Sequence, residues 1–178
     1  MFEPIINNIP AHICALIGLI FLIISTQVKE KNKILINQTL FSFFFFLQYI
    51  LLGILSASML SLVSIIRNLL YYKTSNKNYN IIILLTIIVG IITTILDMKN
   101  YAFIISVTPL IINLLYTISL SKNNIKFIKK TFFICSIIWI IYNYLVKAYI
   151  GVIVNLLEAI SYIYLFLNKK KEDLWKLE

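Results

Sequence analysis

The chain has 178 residues, of which 61% are hydrophobic and 13% are charged, and its formal net charge is +9. A soluble domain of this size needs far more polar surface to cover its core, so the composition excludes that class. The length allows about seven membrane spans of ~20 residues and leaves no room for a soluble catalytic domain. The lysines lie between apolar stretches and form no basic face with interleaved aromatic residues, so we expect the lipid bilayer as a partner and no nucleic acid.

Seven apolar stretches follow one another along the chain and predict an all-α integral membrane protein with seven transmembrane helices. They cover residues 11–28, 34–55, 59–72, 79–96, 101–120, 127–146 and 149–167. In the second stretch, the run from Phe43 to Phe46 predicts a lipid-facing segment. The third stretch is short, and Ser56-Ala57-Ser58 before it predicts a tight hairpin.

The distribution of basic residues predicts which ends of the spans face the cytoplasm. Thirteen of the 16 Lys and Arg residues lie after the first, third, fifth and seventh spans or at the start of the sixth. The opposite gaps hold Lys99 and Lys147, and Arg67 lies inside a span. By the positive-inside rule, the N-terminus is outside and the C-terminus is cytoplasmic. The abundance of Ile, Asn, Lys, Phe and Tyr is typical of an AT-rich bacterial genome, so the membrane is expected to be a bacterial inner membrane.

A weak internal repeat divides the single membrane domain, residues 1–178. A shift of 94 residues superimposes similar patterns of tight turn, small residue and polar stripe; the aligned pairs are Gln48-Tyr49 with Tyr142-Asn143, Ala57 with Gly151, Ser61 with Asn155 and Ser64 with Glu158. The pattern predicts repeat one over about 9–73, an inverter helix over about 79–97, repeat two over about 101–168 and a cytoplasmic tail over 169–178. Two parallel three-helix repeats joined by an inverter helix occur among secondary transporters, whose solute sites lie at the repeat interface.

Arg67 and Glu158 are the two charged residues inside apolar stretches and away from their ends; Lys129 and Lys130 lie at the start of the sixth stretch. A charge at the bilayer centre costs about 2.5–3.5 kcal/mol on insertion scales, so it usually persists when paired, hydrated or used. Counted from the predicted hairpins at 1.5 Å per residue, both lie about 12–14 Å deep. Arg67 alone could extend its side chain toward the cytoplasm. A salt bridge between the two, or a hydrated cavity that holds both, explains the pair more simply.

Neutral polar residues accompany these charges at helical spacing. Ser64 and Asn68 lie beside Arg67 in the third span, Asn155 lies near Glu158 in the seventh, and Trp139 and Asn143 occupy the sixth. Further polar residues in the second and fifth spans are Gln38, Ser42, Gln48, Thr108, Asn113 and Tyr116. Such groups either bind helices together or line a polar cavity. Pro109 removes one backbone hydrogen bond, which predicts either a simple kink or a hinge at a cavity.

Several of these segments carry a family resemblance. The segment from Gln48 to Gly53, continued through Ala57 to Ile66-Arg67-Asn68, resembles the signature of YgjV-type bacterial inner-membrane proteins. The segments Trp139–Asn143, Gly151, Glu158 and Pro109-Leu110 are similar to the rest of that pattern.

The resemblance covers nearly the whole chain, and it names a family without explaining what its members do. The 3+1+3 helix plan also resembles SWEET, PQ-loop and PnuC transporters, which implies a SWEET-like fold. Sugar-transporting SWEETs carry an asparagine at equivalent places in the third and seventh helices. Here Asn155 aligns with Ser61, and this difference argues against sugar as the solute.

We therefore expect an inner-membrane carrier or facilitator for a small polar solute that works by alternating access. Arg67 and Glu158 would hold or gate the central site, and its other residues are predicted to be Ser64, Asn68, Asn155, Trp139 and Asn143, with Pro109 as hinge. The alternative is a non-transporting membrane scaffold or regulator in which the polar stripes serve packing. We expect no enzyme, because the spans contain no HExxH, no paired aspartates and no Ser/His arrangement, and no cofactor or metal site is indicated.

Overall fold

The computed structural model describes residues 8–74, 79–122 and 124–168, and this part of the chain is all helical, without strands. The seven helices are α1 Ile9–Gln27, α2 Lys31–Leu51, α3 Leu55–Thr74, α4 Tyr79–Asp97, α5 Phe103–Ser121, α6 Ile125–Leu145 and α7 Tyr149–Leu167. The predicted all-α class and the number of helices are confirmed for this part of the chain. The predicted tail, 169–178, lies outside the described residues.

Six of these helices, α1 to α5 and α7, are long and apolar enough to cross a membrane. The remaining helix, α6, has 21 residues and carries Lys126, Lys129 and Lys130 in its first two turns. Its remaining turns are rich in Ile, Phe and Trp, as in the other helices. The three lysines lie at one end of the helix, where long side chains can reach a membrane surface.

The surface of the described chain is apolar, and its interior contains many polar side chains beside apolar ones, unlike a soluble protein. Large aliphatic side chains point outward from every helix, and Ile104 is 77% exposed. Serine, threonine, asparagine and glutamine side chains are buried between the helices instead, among them Gln48, Asn68 and Asn143. This distribution fits a protein whose outer face contacts lipid.

Six helices pack as a ring in the order α1, α2, α3, α5, α6, α7 and back to α1. The seventh, α4, packs against both α3 and α5. Gly90 makes this approach possible, because a Cβ atom there would collide with the side chain of Leu110. The short connections make consecutive helices antiparallel. We call the end that carries the α2–α3 and α6–α7 connections the hairpin end, and the other the lysine-rich end.

The α2–α3 hairpin does not lie where the sequence predicts it. Ser56-Ala57-Ser58 belong to the first turn of α3, and the chain reverses at Leu52, Gly53 and Ile54. Gly53 has φ = 71°, a left-handed conformation that glycine adopts without steric cost. The Ile54 amide donates to the Tyr49 carbonyl and the Gly53 amide to the Ile50 carbonyl, which is a Schellman motif. The prediction was wrong because this glycine ends α2, whereas serine and alanine are compatible with a helical first turn.

The α6–α7 hairpin has the same construction. Lys147 adopts φ = 61°, and its amide donates to the Tyr144 carbonyl. The Ala148 amide donates to the Asn143 carbonyl, which completes a second Schellman motif. A lysine in the left-handed region is strained where glycine is not.

An acidic side chain caps α3 from outside the helix. The Asp97 carboxylate, at the end of α4, accepts a hydrogen bond of 2.9 Å from the backbone N–H of Ser56. Asp97 is buried, and a negative charge is favourable beside the N-terminus of a helix. Burial, together with the nearby Asp97 charge, raises the pKa of Tyr101 in the following connection. The cap joins α4 to the hairpin end of the ring.

Candidate functional site

A cavity lies inside the helix ring, and five helices line it. Its walls are formed by Gln38, Phe41, Ser42, Phe45 and Tyr49 of α2, Ser61, Ser64 and Arg67 of α3, Asn113 and Tyr116 of α5, Trp139 of α6 and Asn155 of α7. Its free volume is about 30 Å³, which is room for one or two water molecules. In this conformation the cavity is therefore too small for an organic solute.

Arg67 supplies the positive charge of the cavity wall and is only 3% exposed. Its Nε donates to Asn68 Oδ1 at 3.1 Å. Its Nη1 lies 3.4 Å from the Asn113 carbonyl and 3.5 Å from Thr117 Oγ1, both on α5. The guanidinium also lies over the Tyr116 ring, 5.8 Å from its centroid. All of these partners are neutral, so the charge is solvated by dipoles and by an aromatic face.

The α5 segment after Pro109 is tied to α3 through Asn113. The Asn113 Nδ2 group donates to the Pro109 carbonyl at 3.1 Å, and Asn113 Oδ1 accepts from the Ser64 hydroxyl. Pro109 lies inside α5, where it cannot donate the backbone hydrogen bond of an ordinary residue. The predicted hinge residue therefore lies one helical turn from the cavity wall.

A second polar contact joins α2 and α6 near the hairpin end. The Tyr49 hydroxyl of α2 donates to Asn143 Oδ1 of α6 at 2.8 Å. The Trp139 ring stacks on Tyr49 with centroids 6.0 Å apart and planes 22° apart. Gly151 permits this arrangement, because the Asn143 amide lies where a larger residue on α7 would place its Cβ. The rings of Tyr49 and Trp139 thus border the cavity, and contacts among α2, α6 and α7 fix their positions.

Glu158 is buried, at 1% exposed, but it does not line the cavity. One carboxylate oxygen, Oε1, has no hydrogen-bond partner among the described residues. The predicted salt bridge between Glu158 and Arg67 is absent from the described part of the chain. The ion pair found among the described residues joins the exposed side chains of Lys33 and Glu30. Tyr116 and Cys135 lie within electrostatic range of both Arg67 and Glu158.

The predicted equal depth of the two charges is also wrong. Arg67 follows the first residue of α3 by twelve positions, and Glu158 follows that of α7 by nine. At 1.5 Å per residue they lie about 18 and 14 Å along their helices, almost one turn apart. The difference arises because α3 begins earlier than its apolar stretch.

The other predicted site residues divide into two groups. Ser64, Trp139 and Asn155 line the cavity with Arg67. Asn68 lies behind Arg67 and borders an apolar groove of about 240 Å³ between α2 and α3. Asn143 is held by Tyr49, outside the cavity wall. The structure therefore brings four of the seven residues to one cavity.

Aromatic residues of α2 were missed as members of the site. Phe45 is 3% exposed and lines the cavity, whereas Phe43 is 46% exposed, so the phenylalanine run is lipid-facing only in part. Phe41 and Tyr49 extend the same face of α2, since the three residues are spaced by four. The i, i+4 spacing from 41 to 49 was a usable signal.

Two apolar clusters border the cavity at its opposite ends. The hairpin-end cluster includes Tyr49, Ile54, Tyr142 and Val146, with Trp139 packed against it. The lysine-end cluster consists of Ile34, Leu35, Tyr71, Ile82, Leu120, Ile125, Ile128, Phe132, Tyr162 and Leu165, and Tyr116 packs against it. Large side chains of the two clusters therefore flank the cavity toward the hairpin end and toward the lysine-rich end.

Lys129, counted in the sequence among the connecting lysines, is buried at the lysine-rich end. Its Nζ donates to the Thr26 carbonyl of α1 at 2.7 Å. That carbonyl belongs to the last turn of α1, where a cation is favourable. Next to it, Ser161 of α7 contacts the Thr26 hydroxyl and accepts from Gln27 Nε2 at 2.8 Å. These polar contacts therefore join α1, α6 and α7 at the lysine-rich end.

Comparison with known proteins gives one match. A family model, Imp-YgjV, described as bacterial inner membrane protein, matches residues 9–171. No curated protein and no solved structure matches the chain.

Proposed function

The chain belongs to this family of bacterial inner membrane proteins, and from that premise we propose that it is a carrier for a small polar solute that works by alternating access. The observation that carries the proposal is the small cavity inside the helix ring, whose wall includes the buried side chain of Arg67. Helix packing alone does not require a buried cation on a cavity wall, because an ionisable side chain inside a membrane is costly to bury. A carrier needs such polar groups on the wall of a central cavity, where they can bind the solute.

The proposal includes two parallel three-helix repeats, with α4 as the inverter helix in a SWEET-like plan. The helix bounds support it: α5, α6 and α7 each begin 94 positions after α1, α2 and α3 begin. The left-handed residues Gly53 and Lys147 are separated by the same interval. So are Tyr49 and Asn143, which contact each other. Contact between equivalent residues is expected where they lie close to an axis that relates the repeats.

Alternating access would proceed by opening one apolar cluster while the other stays closed. Pro109 would let the two halves of α5 move relative to each other, while the other helices of the two repeats move as rigid parts. The lysine-rich end would be cytoplasmic by the positive-inside rule. Labelling of Lys29→Cys from the inside and of Lys99→Cys from the outside, by a membrane-impermeant thiol reagent, tests this orientation.

Cysteine accessibility of the cavity wall tests the carrier. The native free thiols, Cys14 and Cys135, are first replaced by serine. Ser64→Cys and Asn155→Cys are then exposed to a charged methanethiosulfonate in right-side-out and inside-out vesicles, with lipid-facing Ile104→Cys as control. A carrier exposes both cavity positions to each side in turn. If neither cavity position reacts from either side, the polar residues serve packing, and the protein is a scaffold or regulator.

A further inference from the structure

The charge on the cavity wall defines the chemistry of a ligand that would bind there. Among the twelve lining residues, Arg67 is the charged one, and no acidic side chain lines the cavity. Glu158 does not reach it and makes no ion pair with Arg67. The cavity is therefore electropositive in a region of low dielectric, where an unpaired charge interacts strongly.

The Arg67 guanidinium has donors left for a ligand. It carries five N–H groups, and its bonds to described residues come from Nε and Nη1. The two N–H groups of Nη2 donate to none of the described residues. The Nη1 contacts of 3.4 and 3.5 Å are longer than the usual 2.9–3.0 Å for N–H···O bonds. An anion that displaced these weak contacts would gain charge-assisted bonds.

Resting on the function proposed above, we propose that the solute is a small organic anion whose carboxylate or phosphate group is bound by Arg67. The planar fork of arginine matches both groups in a bidentate geometry, which a neutral alcohol or amide does not offer. Tyr116, Trp139 and Phe45 border the same cavity and would pack on the apolar body of the anion. The Ser64 hydroxyl and the Asn155 amide would bind its remaining polar atoms.

Three probes with one ring and different head groups test the anion class: benzoate, phenyl phosphate and benzamide. Thermal unfolding of the detergent-purified full chain is followed at constant ionic strength. We expect benzoate or phenyl phosphate to raise Tm with concentration and benzamide to have no effect. Arg67→Gln should weaken the apparent affinity at least tenfold, whereas Lys126→Gln, which removes an exposed charge, should leave it unchanged. The stronger of the two anions identifies the head group.

A second measurement leaves Arg67 intact, in case its variant does not fold. Benzoate or phenyl phosphate should slow the modification of Asn155→Cys by N-ethylmaleimide, and benzamide should not. The anion proposal is overturned if benzamide stabilises and protects as well as the anions do. It is also overturned if no anion binds while Asn155→Cys is labelled from both sides. In either case the carrier proposal stands, because it depends on access to the cavity and not on the solute's charge.

Discussion

Gly151 is a position where a single methyl group should break an interhelical contact. A Cβ atom there would lie 2.9 Å from Asn143 Cγ and 3.0–3.1 Å from its amide nitrogen and oxygen. Ordinary carbon–carbon contacts are about 3.5–4.0 Å, so the Asn143 amide must move by more than about half an ångström. That movement breaks the 2.8 Å bond from Tyr49 and leaves a buried hydroxyl without its partner.

Two effects of Gly151→Ala oppose each other. Alanine is better than glycine inside a helix by about 0.8–1.0 kcal/mol. Loss of a hydrogen bond that leaves a buried partner unsatisfied costs about 1–3 kcal/mol. We therefore expect the free energy of unfolding to fall by about 1 kcal/mol, as measured by equilibrium unfolding in mixed micelles of a mild detergent and dodecyl sulfate.

The reasoning is checked in an Asn143→Ala background, where the atoms that collide with the new methyl group are absent. There, Gly151→Ala should stabilise the protein by up to about 1 kcal/mol, since only the helix preference of alanine remains. Tyr49→Phe should likewise lose its effect once residue 151 is alanine. If Gly151→Ala destabilises both backgrounds equally, the collision with Asn143 is not its cause.

Three further predictions concern the hairpins and the helix ends, and all are read from the same unfolding measurement. Lys147→Gly should stabilise the protein by about 1 kcal/mol, because glycine adopts the left-handed conformation without strain. Gly53→Ala should destabilise the protein by a similar amount for the same reason. Equal effects of the two substitutions would contradict this. Lys129→Met should cost about 1–3 kcal/mol because it removes the donor to a buried carbonyl, while Lys130→Met, on an exposed neighbour, should stay within about 0.5 kcal/mol. Asp97→Asn should lower the free energy of unfolding by about 0.3–2 kcal/mol, because it removes the negative charge at the start of α3. If this loss of stability does not decrease at high salt, burial protects the contact from screening.

The helix count and the position of Arg67 could be predicted because both follow from local sequence. Apolar length marks a span, and a cation inside a span must find a polar environment. The contacts of Glu158 could not be predicted in the same way. Both residues are charged and flanked by apolar neighbours, yet one faces the cavity and the other does not. Which face of a helix points inward depends on how its neighbours pack, and the spans are apolar on nearly all faces.

The hairpin and the buried lysine show two other limits of the sequence. Gly53 was inside the predicted second span, and its left-handed conformation is evident only once the end of α2 is known. Lys129 was counted with the connecting lysines, although it lies in the second turn of α6 beneath the end of α1. Charge counting gives the end of a span at which a lysine lies, but it does not distinguish an exposed side chain from one that joins two helices.

The proposed repeat explains why Glu158 Oε1 has no hydrogen-bond partner in the described part of the chain. In a ring of two related halves, the α3–α5 and α7–α1 contacts are equivalent. Ser64 donates to Asn113 across the first contact. Their counterparts at the 94-residue interval are Glu158 and Leu19. In the proposed repeat the carboxyl would therefore face an aliphatic side chain where the hydroxyl faces an amide.

Leu19→Asn should therefore give Glu158 the partner that Ser64 already has. In a double-mutant cycle with Glu158→Leu, we expect a favourable coupling of about 0.5–1.7 kcal/mol in the free energy of unfolding, which runs from the average to the maximum found for hydrogen bonds between membrane helices. Ile20→Asn, on the lipid-exposed face of the same helix, is the matched control and should show no coupling to Glu158. A coupling at position 19 no larger than at position 20 would mean that the two interfaces are not equivalent, and the repeat arrangement would lose this explanation of the buried carboxyl.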